Sequence, residues 1–510
     1  MGVSSYIRIR QYRSPLRVVA AMLWRSREAQ AQRAEKFKKE IEELYNQNKQ
    51  QEVLLQLAKD EADALREHFS EVQAKLQALE NQSVRLPIDP VLPYHGYGPQ
   101  MIALCINLAQ KVGLRGAESS LQLFHDCYGI TDKVPDWTTI RTWMQRVGVA
   151  AIDVPLESAD DWVWLADHSC QIGPEKALVV LAVRASKMPP PGTALKHEDL
   201  HVLIVQPGTQ WKTEDMAKAY EALAEKYGAP MALVVDGAPE LRDGAEVLKK
   251  QRPDMLVLND FKHRAANILK ATVGKDEQFT KFNSLVGSTR SAIQQTELAH
   301  LTPPSSKPKS RFMNLAAILN WAAMILWLLD HPAAKGRLGI TDKRLTEKLG
   351  WVREFSEDIA AWNECQNVVS ASVTFINEQG LYRGATKELR ESMGDPLTFP
   401  ASSEVKRRLL EFVQESEELL REGQRLPIST EILESSFGLY KQLERQHSKG
   451  GFTSLLAAFG SLLRPVTPQT IKRDFTRVSV KQMRAWVTKN LGSTLTSKRH
   501  IAYKEFANAA

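Results

Sequence analysis

The pattern of apolar residues between Trp162 and Lys270 is the feature that most restricts the fold of this chain. Three segments rich in β-branched and aromatic residues come first and predict consecutive strands. Helical and strand patterns then alternate. The predicted elements are strands at 162–166, 177–183 and 201–205, a helix at 213–227, a strand at 231–235, a helix at 238–250, a strand at 255–258 and a helix from Phe261. This order predicts a mixed sheet in an α/β domain.

Two aspartates come directly after strands that this order makes neighbours. Asp167 follows the first strand, in Trp-Leu-Ala-Asp-His, and Asp236 follows the fourth, in Leu-Val-Val-Asp-Gly. In a ribonuclease-H-like domain, which has this order of elements, the first and fourth strands lie side by side, so both carboxylates are expected at one edge of the sheet. Converging carboxylates repel at neutral pH unless a cation lies between them. Either Asp alone also fits an ordinary turn at a strand end.

The order and the two acids resemble the DDE transposase and retroviral integrase superfamily, over about 162–270 and one later helix. Asp260-Phe-Lys-His263, after the fifth strand, resembles the C/DxxH element of Mutator-like, hAT-like and related bacterial transposases. The resemblance implies a long, mostly helical insertion before a catalytic Glu. His263 is expected to orient an acidic ligand or touch DNA, and a histidine satisfied within the fold is the alternative.

The third acid is expected between Pro427 and Lys441, where Ser429 or Thr430 can cap a helix. We select Glu434, because Glu434, Gly438 and Lys441 share one helical face and offer an acid, a gap for close backbone approach and a phosphate-binding cation. Glu431 is the main alternative, and an acid favoured by the helix dipole explains either one. The lysine seven residues after the acid resembles a Tyr-Arg-Glu-Lys signature of another bacterial transposase group, in which Arg stands where this chain has Thr430.

The chemistry that the resemblance implies is cutting and joining of DNA ends by phosphodiester hydrolysis and transesterification. Asp167, Asp236 and Glu434 would hold two Mg²⁺ or Mn²⁺ ions, with Asp260, His263 and Glu431 as accessory candidates. No Gly-x-x-x-x-Gly-Lys-Ser/Thr loop is present, in keeping with strand transfer that consumes no nucleotide. Two alternatives stay open: a transposase-derived DNA-binding regulator that no longer cuts, and a coiled-coil adaptor without DNA affinity.

A heptad pattern between Phe37 and Leu79 predicts a coiled coil, with Asn48 at an a-type position that would fix the register of a two-stranded coil. Self-association to a dimer or a higher assembly follows from it, and a long helix packed on its own protein is the alternative. The pattern is carried by Phe37, Ile41, Leu44, Asn48, Gln51, Leu55, Ala58, Ala62, Leu65, Phe69, Val72, Leu76 and Leu79.

A helix-turn-helix module is predicted over 98–150, with its last helix starting near Asp136. This helix would present polar groups to the major groove of double-stranded DNA, and a plain three-helix packing unit is the alternative. The candidate DNA-binding residues are Thr138, Thr139, Arg141, Thr142 and Gln145, together with Lys441.

The remaining composition restricts the class of protein and its location. From Arg464 to Ala510 there are ten Lys or Arg against Asp474 and Glu505, which predicts either a DNA-binding tail or a solvated end. The longest apolar run, 315–329, contains Asn320 and is too short to span a membrane, and no export signal is recognised. Together with four scattered cysteines, these features favour the cytoplasm, with nucleoid association if the protein is bacterial, and no membrane.

The predicted division is a basic arm at 1–27, a coiled coil at 28–84, a linker at 85–97, the helix-turn-helix domain at 98–150, the first part of the ribonuclease-H-like core at 158–270, an all-α insertion at 271–424, the core helix with the third acid at 425–462 and a basic tail at 463–510. The tryptophans of the insertion are expected mostly in its core, with stacking on an unpaired base as the alternative.

Overall fold

The structure, a computed structural model, describes residues 16–81, 89–128, 133–152, 154–305, 312, 315–331, 341–394, 396–444, 451–491, 501–503 and 505–506. The chain forms two units, 1–88 and 89–510. Parts of the predicted arm (1–15), of the predicted linker (85–88) and of the predicted tail (492–500, 504 and 507–510) lie outside the described residues. Within the described ranges, no helix has both the length and the apolar character needed to cross a bilayer.

The described part of the first unit is the helix α1, Leu16–Asn81, whose 66 residues extend for about 100 Å. The helix begins at Leu16, inside the segment 1–27 that the sequence predicts as a basic arm. Apolar side chains of the heptad pattern are well exposed along it, with Phe37 at 60%, Leu65 at 63% and Phe69 at 67%. These three described side chains of the predicted apolar seam are therefore exposed.

The second unit begins with three helices: α2, Pro99–Val112; α3, Leu114–Tyr128; and α4, Trp137–Ile152. The carboxylate of Asp89 accepts hydrogen bonds from the backbone N–H groups of Gln100 and Met101 at 3.0 and 2.9 Å, which satisfies the free amides at the start of α2. Asp136 does the same for α4 by accepting from the N–H of Thr138.

The five strands are β1, Trp162–Ile172; β2, Glu175–Arg184; β3, His201–Gly208; β4, Ala232–Val235; and β5, Leu256–Asn259. Their order in the sheet is β3-β2-β1-β4-β5. β1 pairs antiparallel with β2 and parallel with β4, β3 is antiparallel to β2, and β5 is parallel to β4. The mixed sheet expected from the sequence is present, and its order is consistent with a ribonuclease-H-like core.

Alternating residues of β1 face two different cores. Trp162, Trp164 and Ala166 point toward helices α5, Thr213–Tyr227, and α6, Pro239–Gln251. Val163 and Leu165 belong to the larger core on the other face. The helix that follows β5, α7, Phe261–Thr272, packs on that second face. The odd-numbered residues of β1 therefore lie on the face of the sheet that α7 covers.

The described part of the insertion contains helices and one very short strand. Its helices are α8, Glu277–Ile293; α9, Ala316–Asp330; α10, Asp342–Leu349; α11, Ser356–Gln379; α12, Ala385–Ser392; and α13, Pro400–Glu417. The two residues of β6, Leu381–Tyr382, pair with β7, Arg425–Leu426, just before the helix α14, Glu431–Glu444. This pairing brings the end of the insertion back to the core.

Three of the four tryptophans of the insertion are part of its interior. The indole N–H groups of Trp321, Trp351 and Trp362 donate to Leu301, Thr289 and Asp276 of the same chain. Trp327 is 53% exposed and stacks on His331. Of these four tryptophans, Trp327 is therefore the one that is largely exposed to solvent.

The first part of the predicted basic tail, as far as the structure describes it, is folded. A 3₁₀ segment, Ser454–Leu463, is followed by α15, Pro468–Arg477, and α16, Val480–Asn490. Asp474 is fully buried and forms an ion pair with Arg464. The core segment predicted to end at 462 therefore continues into helices that pack with α2 and α4.

Candidate active site

The parallel pairing of β1 and β4 places two aspartates side by side. Ala166 pairs with Val235, so Asp167 and Asp236 are the next residues along the two neighbouring strands. Because side chains alternate between the two faces of a sheet, both aspartates lie on the same face as Val163 and Leu165. Asp167 was expected after the strand but lies inside β1, whose register shifts between Asp167 and Cys170.

The two aspartates differ in their surroundings. Asp167 is fully buried, and its carboxylate accepts the backbone N–H and the hydroxyl of Ser169 at 2.7 and 2.8 Å. Burial raises the pKa of Asp236 to about 6, and the charges of Asp167 and Asp260 add to this effect, while His263 opposes it. Like charges that are held together in a partly buried place favour a cation as their neighbour.

Asp260 connects the sheet to the helix that comes after the insertion. It caps α7 by accepting the N–H of Lys262 at 3.0 Å, and only 1% of it is exposed. The same carboxylate accepts the hydroxyl of Thr430 at 2.7 Å and the N–H of Thr430 at 3.3 Å. The N–H of Phe261 donates to the carbonyl of Ile428 at 2.8 Å. These contacts fix the start of α14 against the end of β5.

His263 lies between the acid that follows β4 and the acid on α14. Its Nδ1 is 2.5 Å from Asp260, and its Nε2 is 3.4 Å from Asp236 and 4.0 Å from Glu434. Burial by itself lowers the pKa of His263. The hydrogen bond to Asp260 and the negative charges of Asp260, Asp236 and Glu434 outweigh burial and raise the pKa to about 9. His263 is therefore an imidazolium near pH 7 and partly neutralises the acids around it.

Lys262 is a second internal cation, and sequence reasoning did not select it. Its Nζ is 2.8 Å from Glu431 Oε1 and 2.7 Å from Glu434 Oε2. Burial lowers the pKa of Lys262, but the two glutamates outweigh burial and raise it. The only signal in the sequence is its place inside Asp-Phe-Lys-His, which is weak because a lysine in the first turn of a helix is usually solvated.

The two glutamates of α14 are distinguished by their other neighbours. Glu434 faces His263, and through it the end of β4. The second oxygen of Glu431 accepts the amide of Asn377, which belongs to the insertion. Glu434 therefore lies closer to the paired aspartates, while Glu431 joins α14 to α11.

The donor chemistry fits a divalent ion, although the side chains are not arranged around one. Asp167, Asp236 and Glu434 supply the hard oxygen ligands that Mg²⁺ prefers. In the part of the chain that the structure describes, no three His, Cys, Asp or Glu side chains form a ready metal-binding group. Two of the three acids already have partners of their own: Lys262 contacts Glu434, and the hydroxyl of Ser169 donates to Asp167.

The face of α14 predicted to meet a phosphate is partly open. A Cβ added at Gly438 would have no atom within 4 Å, so no part of the described chain approaches it. Lys441 is half-buried. Burial raises the pKa of the Cys170 thiol to about 12, and the positive charge of Lys441 acts on that pKa in the opposite direction. Lys441 therefore lies near the end of β1, beyond the two aspartates.

The structure contradicts one of the predicted DNA-binding residues of α4. Gln145 is buried, and its amide donates to the carbonyl and hydroxyl of Ser454 at 2.8 and 3.0 Å. It cannot reach a base, because α4 packs against the 3₁₀ segment that sequence reasoning did not place there. The hydroxyls of Thr138 and Thr139 donate to Asp136, and that of Thr142 donates to the carbonyl of Thr138.

Arg141 on α4 and His168 on β1 each contact a neighbouring side chain. The guanidinium of Arg141 lies over the ring of Trp137, 5.3 Å from its centroid. His168, next to Asp167, is buried with Nε2 2.7 Å from Glu240. Because side chains alternate along a strand, His168 points to the α6 side of the sheet, opposite to the side of Asp167.

Comparisons with known proteins show distant similarity to solved structures. No protein-family model and no curated protein sequence matches this chain. Among solved structures, the chain is similar to the Drosophila P element transposase strand transfer complex, with a TM-score of 0.36 and 12% sequence identity over 81% of this chain and 100% of that chain. At this level of similarity, inference about the site depends on the residues of this chain.

Proposed function

We propose that this protein is a metal-dependent DNA strand-cleaving and strand-joining enzyme of the transposase type. The observation that carries the proposal is the adjacency of Asp167 and Asp236 on neighbouring parallel strands, with Glu434 reaching the same edge through His263. Asp260 and Thr430 hold the helix that carries the third acid in place. Acids from β1, β4 and a late helix are the pattern that the sequence resemblance implies.

In this proposal Asp167, Asp236 and Glu434 hold two Mg²⁺ or Mn²⁺ ions, which supply an activated nucleophile and stabilisation of the leaving oxygen. A metal ion held by Glu434 would compete with the ammonium of Lys262, which lies 2.7 Å from Oε2 of that carboxylate. His263 holds Asp260 and stays beside Asp236, which keeps the acids from repelling one another while no metal is bound.

DNA is the proposed substrate, and two further features support it. Lys441 lies near the end of β1, where its charge would meet a phosphate next to the reacting one. The exposed apolar seam of α1 fits a second copy of the same chain, because a heptad pattern with uncovered Phe37, Leu65 and Phe69 is stable only when another helix covers it. A dimer would hold two DNA ends together.

The ion pair between Lys262 and Glu434 also favours a second candidate function. A protein that binds DNA but no longer cuts would keep the fold and satisfy its third acid with an internal lysine. Such a regulator would bind duplex DNA with strong salt dependence and show no cleavage with either metal.

One experiment separates the two candidates. Nicking and strand transfer on DNA that flanks the gene are measured with Mg²⁺ and with Mn²⁺ for the wild type, Asp167→Asn, Asp236→Asn and Glu434→Gln, with Glu415→Gln, an exposed change on α13, as the control. Loss of cleavage in the three site variants, with DNA binding kept, supports the enzyme. A wild type that binds this DNA and never cuts it supports the regulator.

A further inference from the structure

A pocket at the junction of the N-terminal helices and the C-terminal helices is chemically unlike the acidic site. Its volume is 430 Å³. The described residues that line it include no carboxylate, and its polar lining residues are Tyr94, His95, Arg146, Lys472, Thr476 and Ser479. We call it the Arg146 pocket.

Arg146 is a buried cation without a carboxylate partner. It is 6% exposed, and no Asp or Glu of the described chain contributes to its pKa, which burial alone shifts. Its Nε donates to the carbonyl of Val478, its Nη2 donates to the carbonyl of Phe475, and its Nη1 lies 3.1 Å from His95 Nε2. A guanidinium has five N–H donors, so each terminal nitrogen keeps one further donor.

The charge of Arg146 persists in this environment. Burial lowers the pKa of Arg146 to about 10, so it is still protonated at neutral pH. Its guanidinium lies 3.9 Å from the ring centroid of Phe475, and carbonyls and a ring face do not neutralise it. Burial and the charge of Arg146 lower the pKa of His95, so His95 adds no charge near pH 7. A buried cation without a counter-charge is costly and favours a bound anion.

Two exposed features at the rim add to this attraction. Lys472 on α15 brings a second positive charge. Ser479 is the N-cap of α16, an 11-residue helix, and the partial positive charge of that helix end faces the pocket. The combination of a buried guanidinium, a lysine and a helix N-terminus is the chemistry that recognises phosphate.

We propose that the Arg146 pocket binds a phosphate group. The group belongs either to a DNA backbone or to a free phosphate compound, since both present the same oxygens. The pocket is lined by residues outside the acidic cluster, so this binding needs no metal ion and no cleavage.

The test uses the full-length protein without metal. Arg146 is buried, so its replacement risks unfolding α4; Lys472→Gln changes an exposed side chain instead, and Lys250→Gln, exposed on α6 and outside the pocket, is the matched control. Calorimetric titration with inorganic phosphate gives one affinity. The slope of log affinity for a short DNA duplex against log salt concentration gives the number of phosphate contacts.

We expect Lys472→Gln to weaken binding of inorganic phosphate about tenfold, with Lys250→Gln like the wild type. If the DNA salt slope also falls by about 0.9 in Lys472→Gln alone, the bound group is a backbone phosphate. An unchanged DNA slope together with weaker phosphate binding identifies a free phosphate compound. If Lys472→Gln equals Lys250→Gln in both measurements, the proposal is wrong, whatever the metal-dependent cleavage assay gives.

Discussion

The carboxylate of Asp260 accepts hydrogen bonds from the hydroxyl and the backbone N–H of Thr430, 170 residues later in the chain. Both residues are buried, and the same carboxylate also contacts His263. One aspartate therefore joins the end of β5, the histidine of the acidic cluster and the start of the helix that carries Glu434. The insertion can be long because its two ends are fixed by this contact.

Thr430→Val tests that link. It removes the hydroxyl donor and leaves a buried carboxylate oxygen with one partner fewer, so we expect a loss of about 1–3 kcal/mol in the free energy of unfolding. Urea unfolding followed by circular dichroism measures it. Ser435→Ala, an exposed change on the same helix, is the control and should stay within about 0.5 kcal/mol. Equal stability of the two variants would show that the contact contributes little.

Lys262→Met tests the competition for Glu434. Without metal the variant should be less stable than the wild type, because Glu431 and Glu434 lose their shared ammonium. With its competitor removed, Mn²⁺ should bind roughly tenfold more tightly, measured by electron paramagnetic resonance of free Mn²⁺. Lys270→Met, exposed near the end of the same helix, should leave Mn²⁺ affinity unchanged. Weaker Mn²⁺ binding in Lys262→Met would contradict the proposed competition.

Glu444→Gln tests a pH dependence that arises outside the acidic cluster. Burial raises the pKa of Glu444 from 4.5 to about 7, although Tyr440 and Thr453 donate to it. The folded protein therefore binds this proton more tightly than the unfolded chain. Its contribution to stability is fully present below pH 4.5 and is lost as the pH rises to about 7, by at most about 3 kcal/mol.

Urea midpoints at pH 5 and pH 8 measure this effect. The wild type should lose stability between the two values, and Glu444→Gln should lose less. Glu415→Gln, an exposed change on α13, should follow the wild type. If the urea midpoint of Glu444→Gln falls between pH 5 and pH 8 as much as that of the wild type, the pH dependence arises from other groups.

Leu65→Glu tests self-association through α1. Leu65 is 63% exposed within the chain, and in a coiled coil it would lie in the seam. A charge there should weaken the dimer by at least about tenfold, seen as monomer by analytical ultracentrifugation at micromolar concentration. Ala64→Glu, next to the seam, is the control and should remain associated. The same monomer content in both variants and in the wild type would exclude association through this seam.

Gln145→Ala tests the correction to the predicted DNA contacts of α4. The change removes two hydrogen bonds to Ser454 and should lower the free energy of unfolding by about 1–2 kcal/mol. DNA affinity and sequence preference, measured by mobility shift well below the unfolding temperature, should not change. A changed base preference with unaltered stability would return Gln145 to the DNA interface.

The order and alternation of short elements were predictable from the residues themselves. The three-strand run and the alternating helices and strands between 162 and 272 are present with boundaries shifted by a few residues. Asp167 and Asp236 were expected at neighbouring strand ends, and the register of β1 and β4 puts them side by side. The period of the side chains is a local property of the sequence, and the adjacency of the first and fourth strands was expected from the ribonuclease-H-like order of elements.

The pairing of charges was decided by tertiary structure alone. Lys262 holds Glu434 because the insertion returns the chain so that α14 starts against α7, and no local pattern contains that distance. Gln145 is buried because a segment 309 residues later packs on α4. Burial and long-range contacts depend on how elements pack, so the sequence determined which acids stand at the sheet edge, and only the folded chain determined which cations accompany them.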